Sequence, residues 1–135
     1  MRRIIIALAI LAGGEVQGGT RMKTEDLDKL IPALIAVESA GKTDAIGDGG
    51  RAVGCLQIWP IMVEDVNRIA GTNYTLADRL DRKKSIEMAK IYLTHYAAAG
   101  TIEHAARKWN GGPAGHTKPA TIAYWKKVKT QLEKI

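Results

Sequence analysis

Glu38 and Ser39 close the run Leu27–Lys42, LDKLIPALIAVESAGK. Leu27, Leu30, Ile31, Leu34 and Ile35 recur at helical spacing, and Glu38 is the next member of the stripe they form. A carboxylate is therefore set on the side of a helix that is due to be buried. Gly41 ends the helix soon afterwards, so Glu38 also lies in the last turn, beside unpaired carbonyls and the negative dipole end. Desolvation and the dipole both disfavour the anion and raise its pKa from about 4.3 toward neutrality. A carboxyl tuned in this way can act as a general acid. The bland alternative is a solvated or salt-bridged Glu at a helix end, which is the commoner case.

Two further stretches carry polar groups suited to a hydroxyl-rich ligand: Gly54-Cys55-Leu56-Gln57 and Trp109-Asn110-Gly111-Gly112. Tyr124 adds a phenol in the final helix. Each has an ordinary reading as well: Gln57 as a surface amide, Asn110 as a helix-ending residue, Trp109 and Tyr124 as core aromatics. In order and spacing, however, these stretches together with Glu38-Ser39 resemble the soluble lytic transglycosylase family. That family pairs a Glu-Ser helix end with a Gly-Leu-Met-Gln-like segment, an Ala-Tyr-Asn-x-Gly-like segment and a late tyrosine. The likeness runs from about Leu27 to the C-terminus. Cys55-Leu56 stands where the pattern has Leu-Met, and Lys108-Trp109 where it has Ala-Tyr, which loses a phenol.

The resemblance implies a lysozyme-like fold shared with goose-type lysozymes, and peptidoglycan glycan strands as substrate. It implies Glu38 as catalytic acid and base, with Gln57, Trp109 and Asn110 along the sugar chain. Gly54 and Gly111 would let backbone approach the glycan, Ser39 would close the motif, and Tyr124 would orient the catalytic carboxyl. Two chemistries stay open. A lytic transglycosylase needs one carboxyl and returns the muramyl 6-hydroxyl onto its own anomeric carbon, giving a 1,6-anhydro end. A hydrolase ordinarily needs a second carboxylate, and Asp44 and Asp48 are the candidates. A glycan-binding protein that does not cut is a third reading.

The elements that must position these groups are mainly helical, an α+β pattern of about five helices. Thr24 is placed to cap the first helix, and Pro32 should kink or restart it near Leu30–Pro32. Residues 45–54 read as a small β-hairpin with Gly49-Gly50 as its loop, Ile46 facing Val53 and Asp48 facing Arg51. Pro60 opens a second helix to about Ala70. A third, from about Asp81 to Ala98, should bury Ile86, Ala89, Leu93 and Tyr96–Ala97, with Met88 and Tyr92 at its margin. Thr101 caps a short helix to Trp109. The last starts near Thr117–Pro119, with Ile122, Trp125, Val128 and Leu132 inward.

At 135 residues, 46% hydrophobic and 25% charged, the chain has the bulk of one globular domain. Its net charge of +6 suits an anionic partner. The basic residues are scattered without an aromatic-interleaved stripe, so no nucleic-acid partner is expected. A lone cysteine, Cys55, excludes an internal disulfide, and the three histidines lack metal-ligand spacing. No metal or other cofactor is expected, His95, His104 and His116 read as surface or capping residues, and the domain is expected to be monomeric.

Met1-Arg2-Arg3, the apolar run Ile4–Ala12 and Gly13-Gly14 have the layout of a secretory signal over residues 1–14. A linker at 15–23 and a domain at 24–135 would follow. As a helix the apolar run spans about 14 Å against about 30 Å of bilayer hydrocarbon, too little for a stable anchor. Gly14 stands where a lipoprotein would carry its acylated cysteine. The expected location is the cell envelope, secreted or periplasmic. A bacterium remodelling its wall, a secretion or pilus apparatus and a phage assembly are equally served by such a chain.

Overall fold

The structure, a computed structural model, describes residues 22–135. The expected signal segment and most of the expected linker lie outside the described residues. Five α-helices carry the fold: α1 (Thr24–Ser39), α2 (Pro60–Ala70), α3 (Arg82–Ala97), α4 (Ile102–Gly111) and α5 (Ile122–Leu132). A two-stranded antiparallel hairpin, β1 (Ile46–Gly47) and β2 (Ala52–Val53), sits between α1 and α2. The architecture is mainly α with a small β-hairpin. Among the described residues, no helix is long and apolar enough to cross a membrane.

α1 is the buried axis. Leu30 and Leu34 are fully buried, with Leu27, Ile31 and Ile35 nearly so, as the stripe requires. The helix runs through Pro32 without restarting. Pro32 cannot donate to the carbonyl of Asp28, but both residues lie on the exposed side, where water can take that carbonyl. Thr24 is the first helical residue rather than the cap. Lys23 holds that position, and its backbone N–H donates to the Asp26 carboxylate at 2.7 Å. At the other end Ala40 takes the left-handed conformation, one residue before Gly41.

The hairpin register is Ile46 with Val53 and Gly47 with Ala52. Asp48, Gly49 and Gly50 form a 3-10 turn. Asp48 and Arg51, expected to face each other, make no ion pair; the Arg51 guanidinium lies over the Trp59 ring, 5.2 Å from its centroid. Chain leaving the hairpin is pinned by Arg79, which is buried without a carboxylate. Its guanidinium donates to the carbonyls of Leu76, Arg51 and Ile58, each at 2.9 Å.

α3 is the inner helix, packed against α2, α4, α1 and the 3-10 turn Leu76–Leu80. This wide contact buries Met88 and Tyr92, which were expected at the margin, and leaves Ile86 and Tyr96 half-buried. Thr101 caps α4 as expected, accepting from His104 N–H at 3.1 Å. Two 3-10 turns, Gly115–Thr117 and Pro119–Thr121, precede α5. Thr121 is buried there, bonded to Arg107 and Gly115, so Ile122 is turned outward and Val128 becomes the buried anchor of α5. Of the three histidines only His95 is exposed; the half-buried rings of His104 and His116 lie 5.2 Å apart.

Candidate active site

An open cleft of about 640 Å³ runs between the end of α1, the hairpin, α2 and the C-terminal end of α4. Glu38, Asp48, Gln57, Trp109 and Asn110 line it. Asp44 and Gly111 do not, nor does Ser39.

Glu38 is half-buried in the last turn of α1. The Tyr124 hydroxyl donates to its Oε2 at 2.7 Å across 86 positions of sequence, so α5 reaches back to hold the carboxyl that α1 presents. Burial pushes the Glu38 carboxyl above its ordinary value of 4.5. The Tyr124 hydroxyl pulls it part of the way back, the negative charge of Asp48 adds to the rise, and the Trp109 indole N–H opposes it. Tyr124 has its own ionisation pushed far up, chiefly by burial and then by Glu38, so it remains a donor. Trp109 is buried, packed edge-on against Tyr92 with centroids 5.7 Å apart. The indole is largely covered by the core and still lines the cleft.

Ser39 has its hydroxyl turned inward. It donates to the carbonyl of Cys55 at 2.8 Å, with a longer contact to that of Ile35, and accepts from the Gly41 N–H. These bonds tie the end of α1 to the segment that carries Gln57. Ser39 is thus placed to fix the site's frame rather than to touch a ligand.

Gln57 has φ of +53° and donates its amide N–H₂ to the carbonyls of Ala45 and Gly54, at 3.1 and 3.0 Å. Two carbonyl partners fix which end of the amide is nitrogen, and they leave Oε1 to accept from a ligand. A Cβ on Gly47 would fall 2.5 Å from that oxygen, so the glycine makes room for it. Gly54, expected to face a glycan, is buried against the Arg79 carbonyl, where a Cβ would come within 1.8 Å. Gly111 likewise packs on the Thr121 methyl, and Gly112 is the one that reaches the cleft. Asn110 is exposed at the cleft's edge.

Of the two candidate second carboxylates, Asp44 is exposed away from the cleft, whereas Asp48 lines it from the hairpin turn. Asp48 holds φ of +49°, a left-handed conformation that Asp tolerates better than most residues. The opposite wall was not read from the sequence. It is one face of α2, with Ile61, Glu64, Asp65 and Arg68 at helical spacing. In sequence that face looks like the outer side of any amphipathic helix, and only the hairpin across from it turns it into a wall.

The transglycosylase SLT domain model matches residues 18–132. A lysozyme of Ostrea edulis is 28% identical over 129 residues, covering 76% of this chain and 93% of that one. A chain from the crystal structure of Aeromonas hydrophila PliI in complex with Meretrix lusoria lysozyme superposes with a TM-score of 0.64 at 24% identity. That alignment covers 89% of this chain and 93% of the other, a likeness of fold. Family and relative together support a glycan-cleaving activity, whichever way the bond is resolved. With its helical fold, its half-buried glutamate at a helix end and a family match across most of its length, the chain belongs to the transglycosylase SLT domain family.

Proposed function

We propose that the chain is a peptidoglycan lytic transglycosylase that cuts between N-acetylmuramic acid and N-acetylglucosamine, with Glu38 as its acid and base. The observation that carries this is the Tyr124–Glu38 hydrogen bond at 2.7 Å, which fixes a desolvated carboxyl at the wall of a cleft. Protonated Glu38 gives its proton to the glycosidic oxygen, and the bond from that oxygen to the muramyl anomeric carbon breaks. Positive charge develops on the ring and is relieved by the substrate's own acetamido group. The muramyl 6-hydroxyl then attacks the anomeric carbon, and the Glu38 carboxylate takes its proton. The acid is regenerated, a 1,6-anhydro end is formed and no water is consumed.

Gln57 Oε1 accepts from a sugar hydroxyl or acetamide N–H, and Asn110 bonds the chain further along. Tyr124 holds the carboxyl's orientation through both proton transfers. The substrate places the working site in the cell envelope.

One observation favours hydrolysis as a second reading: Asp48 shares the cleft with Glu38, close enough for its charge to raise the Glu38 pKa. A water activated by Asp48 would give a reducing end. Purified wild-type and Glu38→Gln protein incubated with sacculi, followed by mass analysis of the released muropeptides, decides between them. Products lighter by one water establish transglycosylation, and reducing ends establish hydrolysis. Release by Glu38→Gln equal to wild type would overturn both.

A further inference from the structure

The α2 wall carries a feature that the cleavage chemistry does not use. Arg68 is the one cation among the described residues lining the cleft. Its side chain is 66% exposed, yet it is held in place. Nη2 donates to Asp65 Oδ1 one turn earlier on α2 and contacts the Tyr96 hydroxyl at 3.4 Å. Tyr96, from α3, in turn donates to Asp65 Oδ2. The two carboxylate oxygens of Asp65 are thus each occupied, while Nε and Nη1 of Arg68 have no protein partner in this network.

An exposed ion pair of this kind adds little to stability. Its effect is to remove the freedom of a long side chain, so that the remaining N–H donors of a cation are presented ready-made. A carboxylate would take a charge-assisted hydrogen bond from one of these donors. From Ile61 to Arg68 the wall runs about 10 Å along the helix axis. The apolar Ile61, 71% exposed, lies at the start of that wall, and a sugar chain passing it would reach the guanidinium.

We propose that Arg68 is a specificity-determining residue that binds a carboxylate carried by the muramyl units of the glycan, with Asp65 and Tyr96 as its positioning residues. This rests on the peptidoglycan reading above. Muramyl units offer such a group on the peptide stem or, where the stem has been removed, on the lactyl ether. Plain N-acetylglucosamine chains offer neither. The cleft would then distinguish wall polymer from chitin by a charge-assisted contact away from the scissile bond.

The test is calorimetric titration of the Glu38→Gln protein, with and without Arg68→Gln, using three glycans of equal length. These are strands with intact stems, strands stripped of stems by an amidase so that the lactyl carboxylate is free, and chito-oligosaccharide. Arg68→Gln is expected to weaken binding of carboxylate-bearing strands about tenfold, equivalent to about 1.4 kcal/mol, and to leave chito-oligosaccharide binding unchanged. Loss confined to intact strands identifies the stem as the source, loss confined to stripped strands identifies the lactyl carboxylate, and loss on both shows that the guanidinium takes either. Arg68→Lys should recover only part, because an ammonium on a flexible stem lacks the planar group that Asp65 and Tyr96 hold in place. Equal loss on all three glycans, or no loss on any, overturns the proposal. If Glu38→Gln protein binds none of them, the peptidoglycan reading fails and the role of Arg68 falls with it.

Discussion

If Glu38 is acid and then base, as proposed, its neighbours Tyr124 and Asp48 should leave opposite marks on the pH profile. On that reading the acid form is the active one at the start of the cycle, and kcat/KM should fall as pH rises through the raised Glu38 pKa. The Tyr124 hydroxyl stabilises the carboxylate and lowers that pKa; Asp48 raises it. Tyr124→Phe should therefore move the alkaline limb to higher pH while lowering kcat, and Asp48→Asn should move it to lower pH. A rate-versus-pH series on soluble glycan strands measures both. If Asp48 were the water-activating base, its loss would instead depress the whole profile by about 10²-fold or more. Glu38→Gln should reduce cleavage by about 10²–10⁴-fold, and it carries a stability signature as well. A raised folded-state pKa means that the native protein binds this proton more tightly than the unfolded chain does. Wild-type stability consequently falls as pH rises from the ordinary value of 4.5 through the folded value. Glutamine escapes that loss. Melting curves should show Glu38→Gln gaining on wild type across this window and the difference closing below it.

At the scale of elements, the hairpin and the turn after it decide whether the cleft has an opposite side. Gly54 has φ of +88° and a carbonyl of Arg79 where its Cβ would sit; Gly49 has φ of +68° and open space. Gly54→Ala combines backbone strain with a backbone clash and should cost on the order of 3 kcal/mol or more. Gly49→Ala carries only the left-handed penalty and should cost about 1–2 kcal/mol. Denaturant midpoints of the two variants check the contrast, and a reversal of their order would refute the packing argument. Such differences show what a sequence can and cannot carry. α2 was legible to its ends because Pro60 and Gly71 punctuate it, and the register of Ile46 on Val53 followed from a two-glycine loop. On α3, Ala89, Leu93 and Ala97 are buried as the stripe requires, but a helix covered on several sides also buries Met88 and Tyr92, which a single stripe assigns to its margin. Arg79 could not be found at all. A guanidinium that satisfies one carbonyl of its own turn and two of a distant segment leaves no periodicity and no motif. The same limit explains the site. Residues singled out by type, such as Glu38, Gln57 and Tyr124, were visible. The inward aim of Ser39 and the role of α2 as a wall depend on contacts between distant segments.

For the molecule as a whole, the cleft and the surface carry opposite charge. The chain has 20 Lys and Arg against 14 Asp and Glu, with a pI near 9.6. Glu38, Asp48, Glu64 and Asp65 nevertheless line the cleft around a single Arg68. The excess of lysine lies elsewhere, with Lys126, Lys127 and Lys129 exposed on α5 and none of them in an ion pair. The long-range field of the protein therefore attracts an anionic polymer, while the cleft itself is not a generic anion trap. Encounter and recognition are separated in space. Long-range attraction between exposed charges is screened over about 8–10 Å at ordinary ionic strength and over about 3 Å at 1 M salt. Raising the salt should hence lower kcat/KM on whole sacculi several-fold, through slower association. It should leave kcat nearly unchanged, since Glu38 and Tyr124 meet in a partly desolvated place. On short, uncharged chito-oligosaccharides the salt effect should be close to nil, if these are cut at all. Lys126→Gln/Lys127→Gln/Lys129→Gln should flatten the salt dependence on sacculi without altering the pH limb that reports Glu38. Initial-rate measurements from low to high salt on both substrates test this. An equal salt effect on charged and uncharged glycans would place the salt sensitivity in the cleft rather than in the basic exterior.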